Sequence, residues 1–236
     1  MSLKLKALGL GLLAAMAMAA FAVVNATAET GGHFTSDSLN KKTVITGTEN
    51  PTVTHYTEFT IAGFKPIGCH KTSYDGTIEG NTVEHVRVTP TYEECLTTEG
   101  TTGEVTVHAN ECGFTFKVGK KSTAHNTVSI VCKGTKKYFE ITHPNCTIRV
   151  PEQNLTGVSY TTDLQGGKHA ITLDATVKNI TTHFEGGICI FTGTTKVSEY
   201  TGSVTVEGFE DLGNDATHPY GIEGNRVNIT ATGAEG

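Results

Sequence analysis

The chain has 236 residues, six cysteines, no tryptophan, 7% aromatic residues and a formal net charge of −6. An acidic chain repels phosphate backbones and anionic headgroups, which argues against nucleic acid and anionic membranes as partners. Past the first apolar run nothing approaches the about 18 residues needed to cross a bilayer, so no integral membrane segment is expected in the mature chain.

In chain order, Lys4 and Lys6 precede an apolar run from Ala7 to Val24, followed by Asn25-Ala26-Thr27-Ala28, a small-x-small cleavage site. Residues 1–28 therefore read as a signal peptide. Its removal takes away two lysines and shifts the net charge from −6 to −8. No cysteine follows the cleavage site, so a lipid anchor is not expected. Residues 29–42 are polar and bear Gly and Ser, the composition of a flexible lead-in. Residues 43–210 carry short Thr/Val-rich segments broken by Gly, Asn and Lys. These predict strands at 43–47, 52–61, 82–89, 104–108, 113–118, 127–132, 138–142, 146–150, 157–162, 170–178, 188–192, 195–200, 203–207 and 227–231. Residues 211–236 are Gly/Asn-rich and read as a loosely ordered C-terminal segment.

The sharpest local expectation covers residues 112–150. Cys112, Phe114, Phe116 and Val118 alternate with polar residues, as do Val128, Ile130 and Cys132. Pairing Cys112 with Cys132 sets Phe114 opposite Ile130 and Phe116 opposite Val128, so every inward residue meets another. Phe139 and Ile141, then Cys146, Ile148 and Val150, extend the same face into a four-strand antiparallel meander. Alternation at Val105/Val107, Ile171/Leu173/Ala175/Val177 and Val204/Val206 supplies the opposing layer. The fold expected is all-β: an antiparallel β-sandwich, with a flattened β-barrel as the alternative, stapled by disulfides.

An exported chain with an even number of cysteines reads as a disulfide framework. No C-x-x-C pair of the kind used by structural zinc or redox sites occurs. The register joins Cys112 to Cys132. In the meander Cys146 stands two strands from Cys132, about 10 Å away laterally and out of bonding reach. Cys146 is therefore paired with Cys189, which leaves Cys69 with Cys95.

Catalytic signatures are sparse. The ten histidines show no H-x-H, H-x-x-x-H or H-E-x-x-H spacing. His108 falls on the face opposite Val105 and Val107, and Asp174 points outward from its strand. No G-x-S-x-G or S-x-x-K motif is present, and paired cysteines leave no thiol nucleophile. Catalytic residues and cofactors are accordingly expected to be none. The best cation candidate is an acidic, Gly-bearing loop with Glu207, Glu210, Asp211, Asn214 and Asp215, whose oxygens suit calcium. The alternative reading of that loop is a solvated acidic turn. Four Asn-x-Thr sequons, at Asn145, Asn154, Asn179 and Asn228, are what chance gives in so Thr-rich a chain.

Four segments carry a resemblance: Val88-Thr-Pro-Thr-Tyr-Glu-Glu-Cys95, Cys112-Gly-Phe-Thr-Phe, Cys146-Thr-Ile-Arg-Val-Pro-Glu-Gln and Tyr200-Thr-Gly-Ser-Val-Thr-Val-Glu-Gly. Over residues 45–213 the chain resembles a group of uncharacterised secreted bacterial Thr/Val-rich proteins with a signal peptide and a similar cysteine order. The group implies no activity, and no functional residue is carried over from it.

The function expected is a secreted, non-enzymatic β-domain protein of the extracellular space or cell surface, structural, adhesive or binding, whose ligand is a glycan, a protein or its own copies. One variant has the termini adding strands to a neighbour's sheet. The alternative is a secreted hydrolase or lyase with carboxylates or histidines in a groove between sheets. A third reading, carriage of a small ligand inside a barrel, requires unfilled interior volume.

Overall fold

The computed structural model describes residues 32–49, 57–61, 66–97, 104–119, 126–144, 146–186, 189, 192–213, 220–221 and 223–233. The signal-peptide assignment lies outside them, as do His55, Asn145, Asn214, Asp215 and most of the strand expected at 188–192. The strands in chain order are β1 (His33–Ser36), β2 (Lys42–Glu49), β3 (Thr57–Thr60), β4 (Ile67–Glu79), β5 (Thr82–Val83), β6 (His85–Thr97), β7 (Glu104–His108) and β8 (Cys112–Lys117), followed by β9 (Asn126–Cys132), β10 (Tyr138–His143), β11 (Cys146–Pro151), β12 (Gln153–Gln165), β13 (Lys168–Glu185), β14 (Gly193–Asp211), β15 (Glu223–Val227) and β16 (Ile229–Thr232).

Four long strands, β4, β6, β13 and β14, organise everything else. They form two antiparallel ribbons, β4–β6 and β13–β14. At one end β8, β9 and β12 bridge from β6 to β13, and β2 bridges from β14 back to β4. At the other end β7, β10 and β11 make the first bridge and β3 makes the second. Two hydrogen-bonded rings of eight strands are thus stacked end to end, sharing β4, β6, β13 and β14. The fold is all-β and antiparallel; it is a sandwich whose two layers are joined at both edges, which makes it a flattened barrel.

Strands shared by two rings must bend where the rings meet, and each ribbon carries an irregularity there. On β13, Val177 pairs with Tyr200 but Ile180 pairs with Ser198, so three steps on one strand oppose two on the other. The extra residue is a β-bulge, and Asn179 takes a left-handed φ of 59° within it. Its effect is to flip the side-chain parity. Ile171, Leu173, Ala175 and Val177 point inward before the bulge; Ile180, Thr182 and Phe184 do so after it. On the other ribbon, Glu94 also has positive φ (53°), and the buried positions change parity beside it, from Val86 and Val88 to Cys95 and Thr97. Lys71 and Glu94 form an ion pair on the outside of this kink.

The alternation puts apolar side chains inside and polar ones outside. On β13, Asp174 and Thr176 are exposed between buried neighbours. A membrane-spanning barrel has the reverse pattern, apolar towards lipid. No helix among the described residues is long and apolar enough to cross a membrane.

The hairpin at residues 112–132 has the expected register: Cys112 faces Cys132, Phe114 faces Ile130 and Phe116 faces Val128. The β10–β11 hairpin likewise pairs Phe139 with Val150 and Ile141 with Ile148. The meander joining them is corrected. β9 pairs with β12 and β10 with β7, so the two hairpins belong to different rings. Alternation dictates which face is inward but not which strand lies alongside, and all these strands share the same inward parity.

A second correction concerns the terminal segments. The described parts of the segments expected to be flexible at 29–42 and loosely ordered at 211–236 form strands. β1 pairs with β16 and β5 in a separate three-stranded sheet, and β15 pairs with β14. This sheet caps the β8–β9–β12 ring, with Phe34 and Ile229 buried beneath it at 3% and 0% exposure. Asp37 accepts two hydrogen bonds from Asn228, on its backbone N–H (2.8 Å) and side-chain Nδ2 (2.5 Å). Asn228 Oδ1 in turn accepts from the backbone N–H of His169 on β13 (2.8 Å). Ser36 and Thr43 share a buried hydroxyl–hydroxyl bond of 2.5 Å. Short polar segments order here because each backbone finds a partner strand; composition shows only that neither is apolar enough to form a core alone.

Candidate functional site

The disulfides frame the barrel wall. Cys69–Cys95 and Cys112–Cys132 are cross-strand pairs within β4–β6 and β8–β9, and Cys146–Cys189 ties β11 to the connection after β13. These are the three pairs reached from register and elimination. The elimination step changes its reason, because Cys132 and Cys146 lie in different rings. No free cysteine is present among the described residues.

Three of the five residues expected in the acidic loop lie on a strand. Glu207, Glu210 and Asp211 lie on β14, where alternation puts Glu210 on the face opposite the other two. Glu207 is ion-paired with Arg226 on β15. Asp211 is paired with Lys42 Nζ at 2.5 Å and accepts from the Gly213 N–H at 2.9 Å. Burial pushes the Asp211 carboxyl up, but the Lys42 and Gly213 bonds and the Lys42 charge more than offset this and hold it below its usual value. Strand geometry and dedicated cations thus spread the carboxylates that proximity in sequence had grouped. Among the described residues no three His, Cys, Asp or Glu side chains are placed to hold a metal ion. His108 and Asp174 are exposed, on the outward faces expected of them.

What the barrel does contain is a cavity of about 140 Å³. It is walled by inward side chains of both rings, among them Phe59, Phe116, Ile141, Leu173 and Ala175, and its lining is almost wholly apolar. Gly47, Ala175 and Gly202 are among its lining residues, alongside the aromatics. Eight strands make a barrel whose interior is either just filled by side chains or left with room for one small ligand. A dry apolar cavity of about 150 Å³ in another protein takes up benzene or xenon, so the volume here is that of a small-molecule site.

Four tyrosines supply most of the polar atoms at its wall. Tyr74 on β4, Tyr92 on β6 and Tyr200 on β14 cluster at one place. The Tyr74 and Tyr200 hydroxyls are 2.6 Å apart, Tyr92 joins them, and the Tyr74 and Tyr92 rings meet edge to face at 6.4 Å. The Thr57 hydroxyl lies against Tyr200 without completing a well-aligned bond. Burial is the main cause that drives all three phenols above their ordinary ionisation range, so they stay neutral. The fourth, Tyr160 on β12, stands apart. Phe34 and Phe116 hold its ring edge-on, with centroids at 5.4 and 6.4 Å, and its buried hydroxyl has no hydrogen-bond partner among the described residues.

None of these tyrosines was singled out from the sequence. The available signal was their inward parity in a chain without tryptophan, where a buried phenol is the main polar group an apolar interior can carry. No protein-family model matches the chain, and comparisons with curated proteins and with solved structures likewise find no match.

Proposed function

We propose that this is a secreted, non-enzymatic binding protein that holds a small apolar ligand inside its barrel. The observation that carries the reading is the 140 Å³ apolar cavity lined by both rings. A void of this size forfeits dispersion contacts along its lining, and an apolar guest would restore them. Three disulfides are compatible with an extracellular protein, and the export signal read in residues 1–28 agrees with that compartment. The pairing of β1 with β16 weighs against the variant in which the termini donate strands to a neighbour. The hydrolase reading asks for converging acids or bases; of the candidate carboxylates, Asp211 is held by Lys42 and Glu207 by Arg226.

The test is a thermal melt of oxidised mature protein with toluene, alongside the variant Ala175→Leu, which puts bulk into the void. The melting temperature of the wild type should rise with the logarithm of toluene concentration above the dissociation constant, by the equivalent of about 2.7 kcal/mol at a hundred times that constant. The variant should not respond. A wild type indifferent to toluene overturns the reading.

A further inference from the structure

The cavity's two polar features differ in one respect that bears on what can occupy it. Tyr74, Tyr92 and Tyr200 bond to one another, so a ligand arriving at that cluster finds its hydroxyls engaged. Tyr160 lines the same cavity with a hydroxyl shut off from solvent and unpartnered. Its ring cannot turn the hydroxyl outward without breaking the edge contacts to Phe34 and Phe116. A buried hydroxyl without a partner is expensive, and a phenylalanine would pack the same space without that cost. A lone water is a poor remedy, because a buried water needs two to four polar partners and the wall beside Tyr160 offers aromatic and aliphatic carbon.

Resting on the cavity reading above, we infer that Tyr160 is the polar anchor of the site and that the ligand is a small, uncharged, largely apolar molecule with a single hydrogen-bonding oxygen: a phenol, alcohol or ketone. The neutral phenol of Tyr160 can donate to such an oxygen or accept from it. A charged ligand is disfavoured, because no counter-charge lines the cavity and burying an unpaired ion is prohibitive. The rest of the ligand meets hydrocarbon only.

The experiment compares toluene with phenol, which differ by a methyl for a hydroxyl, on the wild type and on Tyr160→Phe, with affinities from ligand-observed NMR and folding checked by melting. The expected result is that both ligands bind the wild type. In the variant, phenol should weaken about tenfold, the equivalent of one hydrogen bond of about 1.4 kcal/mol, while toluene binds as well or better. If toluene binds both proteins but phenol fails on the wild type, or is insensitive to the substitution, the anchor is overturned and the cavity reading stands. If neither ligand binds the wild type, both fall. Should Tyr160→Phe not fold, tyrosine 13Cζ labelling of the wild type reads the same bond. The Tyr160 resonance should shift with phenol and not with toluene, and equal shifts with both would overturn the assignment.

Discussion

Tyr74 and Tyr200 are 126 residues apart in sequence and join their hydroxyls at 2.6 Å inside the barrel, linking the β4–β6 ribbon to the β13–β14 ribbon. Removing either oxygen strips the other of its closest partner in a dry site. Tyr200→Phe or Tyr74→Phe should each cost about 1–3 kcal/mol in denaturant unfolding. The double variant should cost less than the two singles added together, since neither of these two oxygens then leaves the other unpaired, although Tyr92 still loses both partners. Strict additivity would show that the bond contributes nothing beyond packing.

The same phenols make the fold sensitive to alkali. Burial, the main cause, raises the folded-state pKa of Tyr74, Tyr92, Tyr160 and Tyr200 above the ordinary value of 10.0. Above pH 10 the unfolded chain loses these protons while the folded chain keeps them, so the unfolded state gains. Stability is therefore fully present below pH 10 and falls as pH rises towards the folded-state values. Each tyrosine adds about 1.4 kcal/mol per pH unit to that slope. Urea titrations at a series of pH values should show a steep loss that Tyr200→Phe makes shallower by one tyrosine's share; an unchanged slope would mean Tyr200 is not buried.

The three disulfides should differ in worth. Their sequence separations are 20, 26 and 43 residues for Cys112–Cys132, Cys69–Cys95 and Cys146–Cys189. By the chain-entropy estimate they stabilise by about 3.3, 3.5 and 4 kcal/mol, respectively. Cys146 and Cys189 changed together to alanine should give the largest loss of the three double variants. A larger loss from Cys112–Cys132 would mean that native-state contacts outweigh loop closure.

Gly157 holds a bulge in β12 where the register against β9 shifts between Thr156 and Val158. Its φ is +103°, and a Cβ there would sit 2.2 Å from the Thr176 carbonyl oxygen. Both the dihedral and the space exclude a side chain, so Gly157→Ala should cost about 2–4 kcal/mol, among the larger single-substitution effects. Gly167 has φ +83° but open space around it; alanine there should cost only the dihedral, about 1 kcal/mol. Equal melting temperatures for the two variants would contradict this account.

The sequence carried the fold class and the pairs close in the chain, because a hairpin's register is written in its own alternation. It hid β4, whose inward positions include Thr72 and Gly76 and so show little amphipathic contrast. Gly76 is small for a reason visible only in three dimensions: a Cβ would meet the Arg87 carbonyl oxygen at 2.3 Å. β14 read as two strands because Thr201-Gly202-Ser203 resembles a break, yet Gly202 pairs with Ala175 and the ladder continues past it. Asn179 gave no sign that it would reset the parity of β13. The cavity could not be read at all, since a void is what remains when side chains from both rings fail to meet, and no local pattern records that difference.

The pairing of His33 with Thr232 sets the first and last described strands side by side. Topologically the domain is a loop of chain opened at one point, and that point need not be where it is. A short linker from β16 to β1 would close the loop, and new ends could be cut at the exposed Gly166–Gly167 turn between β12 and β13. In that rearranged chain the cap over the β8–β9–β12 ring would become a continuous hairpin, made early and locally. In the natural order of synthesis it waits until every other described strand has been made.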